Sequence, residues 1–445
     1  MEAVSYREIN RRILGSLSPP GKPYYLALLA CFSGMVIGAS CWAYQVYLGM
    51  GASGLNHPVM WGTYLINFVF WIEIGHAGSL TSALLYLSGA KWRNPVGRSA
   101  ETMTVFAVAI AGLFPFIDLG RSWILYWLWP YPNQRNLWPN FQSPLIFDEI
   151  AAAGYLVISS LFLYTGLIPD LAVLRDHHQG ARRKIYGFLS LGWTGSHRQW
   201  HHYKTAYMFF AFLITAFVVC VASIVSWDFA LTIVPGYHST IFGPYFLAGA
   251  VHSGMAMLLT LVIPLRRILR LEKLIPVRVL ENVAKIMIFT TILLIYIYFV
   301  EFFMAWYSGH AAERTTFWLR VFGPSAWEFW FTVFTCMFLP LMFFFKKVRS
   351  RPLWLFVISI VINIGMWFER FVIVVGPLSH DFMPYAWGDY WPSWIEGGIL
   401  LGSFSFFFFL FLIFVKFLPS VSITEMKEMQ EAPVMAQGTM TGRGA

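Results

Sequence analysis

The chain has 445 residues, 58% of them hydrophobic, 19% aromatic and only 12% charged, with a mean hydropathy of +0.61. That balance excludes an ordinary soluble enzyme and any disordered or fibrous class, and it describes an integral membrane protein. The net charge of +9 would suggest a nucleic-acid partner in a soluble chain, but here the basic residues sit in short loops between apolar stretches, so they report topology and no nucleic acid is expected.

Residues 1–24 contain Glu, Arg and Pro with no small-residue cleavage site, and they read as a polar N-terminal tail. A hydrocarbon core near 30 Å takes about 20 helical residues. Apolar windows of that length fall near 25–47, 59–88, 102–128, 144–168, 203–232, 240–265, 280–307, 327–345, 353–376 and 393–418. The second, third, fifth and seventh are long enough to tilt. After the last window, the 419–445 tail is polar, has no packing pattern and reads as a flexible end.

Lys and Arg crowd alternate loops. Arg7, Arg11, Arg12 and Lys22 precede the first window, and the 89–100, 169–204, 266–278 and 346–351 segments are basic, whereas the intervening loops hold Arg135, Arg314 and Arg320. The positive-inside rule then puts both termini of the ten-span chain in the cytoplasm. The outward loops, such as LWPYPNQRNLWPNFQSP and PYAWGDYWPSW, are rich in Trp, Tyr and Pro, which suits an interfacial belt and a surface that a partner could cover. Cys31, Cys41, Cys220 and Cys336 lie far apart with no CxxC or CxxCH, so no metal, iron–sulfur cluster or covalent haem is expected in this chain.

GHAGSLTSALLYL (75–87) has a weaker echo in VHSGMAMLLTLVI (251–263), and each is followed by a basic loop and a glutamate, Glu101 or Glu281. The expected architecture is all-α: two parallel four-helix bundles, 59–232 and 240–376, related by an axis along the membrane normal. The first span with its loop (25–58) and the last span (393–418) stay outside them.

An ionised side chain at mid-bilayer costs roughly 2.5–3.5 kcal/mol, so Glu73, His76, Asp118, Arg121, Asp148, Asp228, His252, Glu301, Glu369 and Arg370 need a reason. Depth along each span gathers most of them in the outer half, with Glu73, His76 and His252 nearer the middle. Asp118 and Arg121, three residues apart on one helical face, can neutralise each other, whereas adjacent Glu369 and Arg370 diverge and need partners on other helices. His76 sits among Gly75, Ala77, Gly78 and Ser79, which let a flat ring approach, and imidazole titrates near neutral pH. A bis-histidine haem needs facing helices, and His76 and His252 lie in different bundles. Dry carboxyls and an imidazole in an apolar slot suit quinol oxidation, with electrons leaving to a partner. The competing readings are a secondary transporter or proton channel, and a scaffold paralogue with a degenerate quinone pocket.

The GHAGSLTSALLYL helix, FIDLGRSW (116–123), YPNQRNLWPNFQSPLIFD (131–148), SWDFA (226–230) and NIGMWFERFVIVV (363–375) resemble the NrfD/polysulfide-reductase membrane subunits, and most closely the quinol-binding ActC-type subunit of bacterial alternative complex III. The resemblance implies a menaquinol site at the periplasmic side of the first bundle, bordered by His76, Asp118, Arg121 and Asp148 with Asp228 close by; His76 and Asp118 are its expected catalytic residues. It also implies a proton route using Glu73, His252, Glu301 and Glu369. The implied partners are periplasmic iron–sulfur and multihaem cytochrome c subunits and a paralogous membrane subunit. The second bundle has YFVEFFMAWY (298–307) where a DLGR is expected, so no second quinone site is expected there.

Overall fold

The computed structural model describes residues 5–18, 21–128 and 144–429. Ten helices in it are long and apolar enough to cross a membrane: span 1 (Lys22–Leu48), span 2 (Thr63–Leu87), span 3 (Lys91–Asp118), span 4 (Ile146–His177), span 5 (His197–Ala230), span 6 (Phe242–Ile268), span 7 (Val277–Ser308), span 8 (Ala326–Phe344), span 9 (Pro352–Ser379) and span 10 (Trp394–Phe417). Within the bilayer only a helix satisfies its own backbone, which is why hydropathy windows and helices coincide; the third is the exception, expected at 102–128 and found at Lys91–Asp118.

Spans 2 to 5 pack in a ring, as do spans 6 to 9, and the two rings meet where span 6 lies along span 2, with spans 5 and 9 at the seam. Spans 1 and 10 pair with each other against the first bundle. In span 2, 89% of the core window is buried, against 17% in span 1 and 33% in span 10, which separates the central helix from the peripheral pair. Small residues set the close crossings. A side chain on Gly254 would collide with Ala77 and the Ile74 carbonyl of span 2, and one on Gly402 would collide with Gly38 of span 1. Between helices in lipid, such backbone approach is what packing attraction has to work with.

Several spans are interrupted. Span 3 is helical to Ala111, bends at Gly112 and Leu113 and restarts as Phe114–Asp118 with Pro115 in its first turn, where a missing N–H costs nothing. Span 2 opens into a π-helical stretch at Leu80–Leu84, where the Thr81 and Ser82 hydroxyls donate to the carbonyls of Ala77 and Gly78 at 2.7 and 2.9 Å. Span 8 does the same at Val333–Phe338 before a 3-10 stretch carrying Pro340.

The first and last described segments, 5–18 and 420–429, lie at one face, hereafter the termini face, and both depart from the sequence expectation. Tyr6–Ser16 is an amphipathic helix capped by Ser5, with Ile9 and Ile13 buried, because its apolar residues recur at helical spacing. Residues 420–429, expected to be flexible, are folded into the base of the first bundle. Val421, Ile423 and Met426 are buried there because their side chains fill the mouth between spans 3, 4 and 5. Residues 430–445 lie outside the described residues.

Candidate functional site

At the end of the first bundle opposite the termini, spans 4 and 5 bring Asp148 and Asp228 together, so that their carboxyls adjoin. Both are buried, 6% and 4% exposed, and Asp148 Oδ1 and both Asp228 oxygens have no hydrogen-bond partner among the described residues. The buried guanidiniums of the described residues pair with other acids. Two adjoining anions in a dry site repel strongly, and a proton shared between them relieves that repulsion.

Asp118 ends span 3 at the same face and is exposed, and so is Arg121. The expected ion pair between them does not form among the described residues. The helix stops at Asp118 and Gly120 takes a left-handed φ of 65°, so the i, i+3 geometry of a continuous helix no longer applies. The neighbouring 131–143 stretch, part of the motif legible in the sequence, lies outside the described residues.

His76 lies two turns deeper. On span 4, Asp148, Ala151, Ala152 and Tyr155 are buried along one stripe, and seven residues advance about 10.5 Å along a helix. Tyr155 reaches the His76 ring at 5.3 Å between centroids and hydrogen-bonds the Ser79 hydroxyl at 2.8 Å, while Ser79 donates to Thr104 at 3.4 Å. His76 is 1% exposed and neither ring nitrogen has a partner among the described residues. A buried imidazole with both nitrogens idle is costly unless something binds them. Tyr155 escaped the sequence reading because a tyrosine in an apolar span carries no distinguishing signal.

The bundles are joined by ions. Arg370 of span 9 donates through Nε to Glu73 of span 2 at 2.9 Å and through Nη2 to its neighbour Glu369 at 3.1 Å. The expectation that Glu369 and Arg370 diverge is therefore corrected: the long guanidinium curls back far enough to bond both acids. Glu369 also accepts from Tyr245 at 2.9 Å and Tyr298 at 3.1 Å, and the Arg370 guanidinium lies over the Tyr245 and Phe246 rings. In the second bundle His252 bonds Thr290 at 2.9 Å, and Glu301 pairs with Arg320 at 3.1 Å. His76 and His252 flank the crossing of spans 2 and 6 but turn into their own bundles, toward Tyr155 and Thr290.

A further network that the sequence reading missed sits at the termini end of the first bundle. It contains Arg93, Arg98, Glu101, Asp170, Tyr207 and Glu425, all buried. The sequence pairs Glu101 with Glu281 as matching residues of a repeat; only Glu101 is buried, which breaks the repeat at this level. Among the described residues no group of three or more His, Cys, Asp or Glu side chains could hold a metal ion.

An open apolar slot of about 210 Å³ lies between spans 1, 3 and 10, lined by Met35, Trp42, Phe114, Ile117 and Phe406, and it ends one residue from Asp118. Beside it Gln45 donates to the Ile117 carbonyl at 3.2 Å and accepts from Tyr64 at 2.7 Å, which fixes the end of span 3. A larger open cleft of about 870 Å³ lies between spans 5, 6 and 7, with Glu301 and Trp227 on its walls.

Residues 51–379 match the family model described as "Polysulphide reductase, NrfD", a stretch that takes in spans 2 to 9 and so both bundles. Over 254 residues the chain is 26% identical to a Halobacterium salinarum protein whose name describes a membrane subunit of dimethyl sulfoxide reductase. The alignment covers 57% of this chain and 54% of that protein, so the chain spans about half the length of the curated relative it matches.

Proposed function

This chain belongs to the polysulphide reductase NrfD family, and we propose that it is the quinol-binding subunit of a multi-subunit membrane oxidoreductase. The observation that carries the reading is the set of buried, unpartnered acceptors on one bundle face: His76 and the adjoining Asp148 and Asp228, with a lipid-open apolar slot beside Asp118. These residues fit a quinol head, whose hydroxyls need acceptors in a dry pocket and whose tail needs an apolar way in.

A bound quinol supplies two electrons and two protons. His76 is placed to take a hydroxyl proton at a ring nitrogen, and the Asp148–Asp228 pair to take the other and hold it near the face opposite the termini. Tyr155 packs on the imidazole and keeps its plane. Asp118 and Arg121 stand at the rim, where they guide the head and a docked partner.

The basic termini-face loops favour cytoplasmic ends and a periplasmic site. The finer reading is menaquinol oxidation in an alternative-complex-III-type assembly of the ActC kind. Electrons pass to a periplasmic iron–sulfur subunit with multihaem cytochrome c beyond it, beside a paralogous membrane subunit. Glu73, Glu369, His252 and Glu301 are the proposed groups for any coupled proton movement.

Photoaffinity labelling of the complex with an azido-quinone tests the site. Label on the spans around His76, Asp118 and Asp148 is expected; label confined to the termini half refutes it.

A further inference from the structure

The base of the first bundle is closed by the chain's own C-terminal segment. Ser420 accepts through its carbonyl from Ser99 at 3.0 Å, and Thr424 donates from its backbone N–H and its hydroxyl to Asp170 at 3.2 and 3.0 Å. Glu425 receives Arg93 at 2.5 Å, and its carbonyl accepts from Asn94 at 3.1 Å. Arg98 bonds Glu101 at 2.9 Å, Asp170 at 3.2 Å and the Gly166 carbonyl at 2.6 Å.

Two guanidiniums and three carboxyls are thus enclosed together, one negative charge in excess. Tyr207 sits between Glu101 and Glu425, its hydroxyl 2.6 Å from the first and 3.3 Å from the second. A phenol has a single proton to donate. It can satisfy one carboxylate; the other contact becomes a hydrogen bond only if that carboxyl carries a proton of its own, and that proton also cancels the excess charge. Outside the enclosed groups the charged neighbours are the exposed Lys204–Glu428 pair at 3.1 Å and the half-buried Lys427, whose ammonium acts on Asp170 from the solvent side; Tyr203 also faces the cluster, and Tyr86 lies under the Arg93 guanidinium.

Open clefts of about 470 and 280 Å³ flank the segment; Thr424 lines the first and Glu425 the second. Inward from Glu101, Thr104 is one turn along span 3, and Thr104, Ser79 and Tyr155 lead on to the His76 ring.

We propose that Glu425, Tyr207 and Glu101 form a proton-binding site that exchanges with solvent on the termini side, sealed by residues 420–429 and continued by Thr104, Ser79 and Tyr155 toward His76. In one transfer Glu425 takes a proton from water, then passes it to the Tyr207 oxygen as Tyr207 gives its own to Glu101. Only O–H bonds form and break, and no electron moves. The site does not depend on the quinol reading, because a proton needs no other ligand.

The test uses the intact complex in liposomes enclosing a pH-sensitive dye, with no quinol present and a potential imposed. Ending the chain after Pro419 removes the seal together with Glu425, so that water meets the Tyr207 hydroxyl directly and passive proton leak rises several-fold, whereas ending it after Met429 leaves the leak unchanged. Adding Tyr207→Phe to the shorter chain returns the leak to the wild-type level. An unchanged leak after Pro419, or a leak that survives Tyr207→Phe, overturns the proposal. Should the shorter chain fail to assemble, infrared spectra of Glu425→Gln and Glu101→Gln decide. The carbonyl band of a protonated carboxylic acid is lost in one of them, and its persistence in both overturns the proposal.

Discussion

His76 is the residue whose chemistry is least explained by packing. His252 spends one ring nitrogen, Nδ1, on Thr290 and leaves Nε2 without a partner, whereas both nitrogens of His76 are unspent among the described residues. General acid–base groups contribute roughly 10²–10⁴-fold, so His76→Ala lowers quinol oxidation by about that range while the complex still purifies whole. Steady-state turnover of the purified variant checks this, and wild-type turnover removes His76 from the site. Asp148→Asn and Asp228→Asn each replace one of two adjoining carboxyls. Each single variant is expected to fold, and the double variant to lose little beyond the worse single, since residues acting as a unit are not additive. Independent, multiplying losses from the two changes count against a shared proton.

At the scale of helices, the seam between bundles rests on two devices with opposite legibility. The small residues around His76 are readable in the sequence as room for a close approach, expected there of a flat ring, and at Ala77 it is Gly254 of span 6 that takes it. Gly254→Leu forces spans 2 and 6 apart and is expected to destabilise by about 1–3 kcal/mol, measured as a lower melting temperature of the detergent-solubilised protein. The Glu73–Arg370 bond is not readable, because its partners are 297 residues apart and nothing local marks them as a pair. Removing one member of a buried ion group leaves an unpaired charge and costs about 3–5 kcal/mol. Arg370→Met is therefore expected to be more disruptive than Gly254→Leu, and Arg370→Met combined with Glu73→Gln and Glu369→Gln to recover part of the loss. A triple variant no more stable than Arg370→Met alone means the arginine acts through packing on Tyr245 and Phe246 instead.

Across the whole molecule, ionisable groups stand at three levels: Asp148 and Asp228 opposite the termini, Glu73, Arg370 and Glu369 near the middle, and the Arg93–Arg98–Glu101–Asp170–Glu425 cluster at the termini face. The sequence by itself determined the ten spans and their alternation, because a bilayer demands length and apolarity that composition alone reveals. It also determined which residues were too polar for lipid, since burial cost is a property of each side chain. Tertiary structure decided which of these groups meet. It separated Arg121 from Asp118 by ending a helix, brought Asp148 and Asp228 side by side, and folded Glu425 into a cluster with residues more than 300 positions earlier. Hydrophobic patterning fixes where a helix must be buried but is indifferent to its neighbour, and only the packing of one helix against another selects the partners of a buried charge.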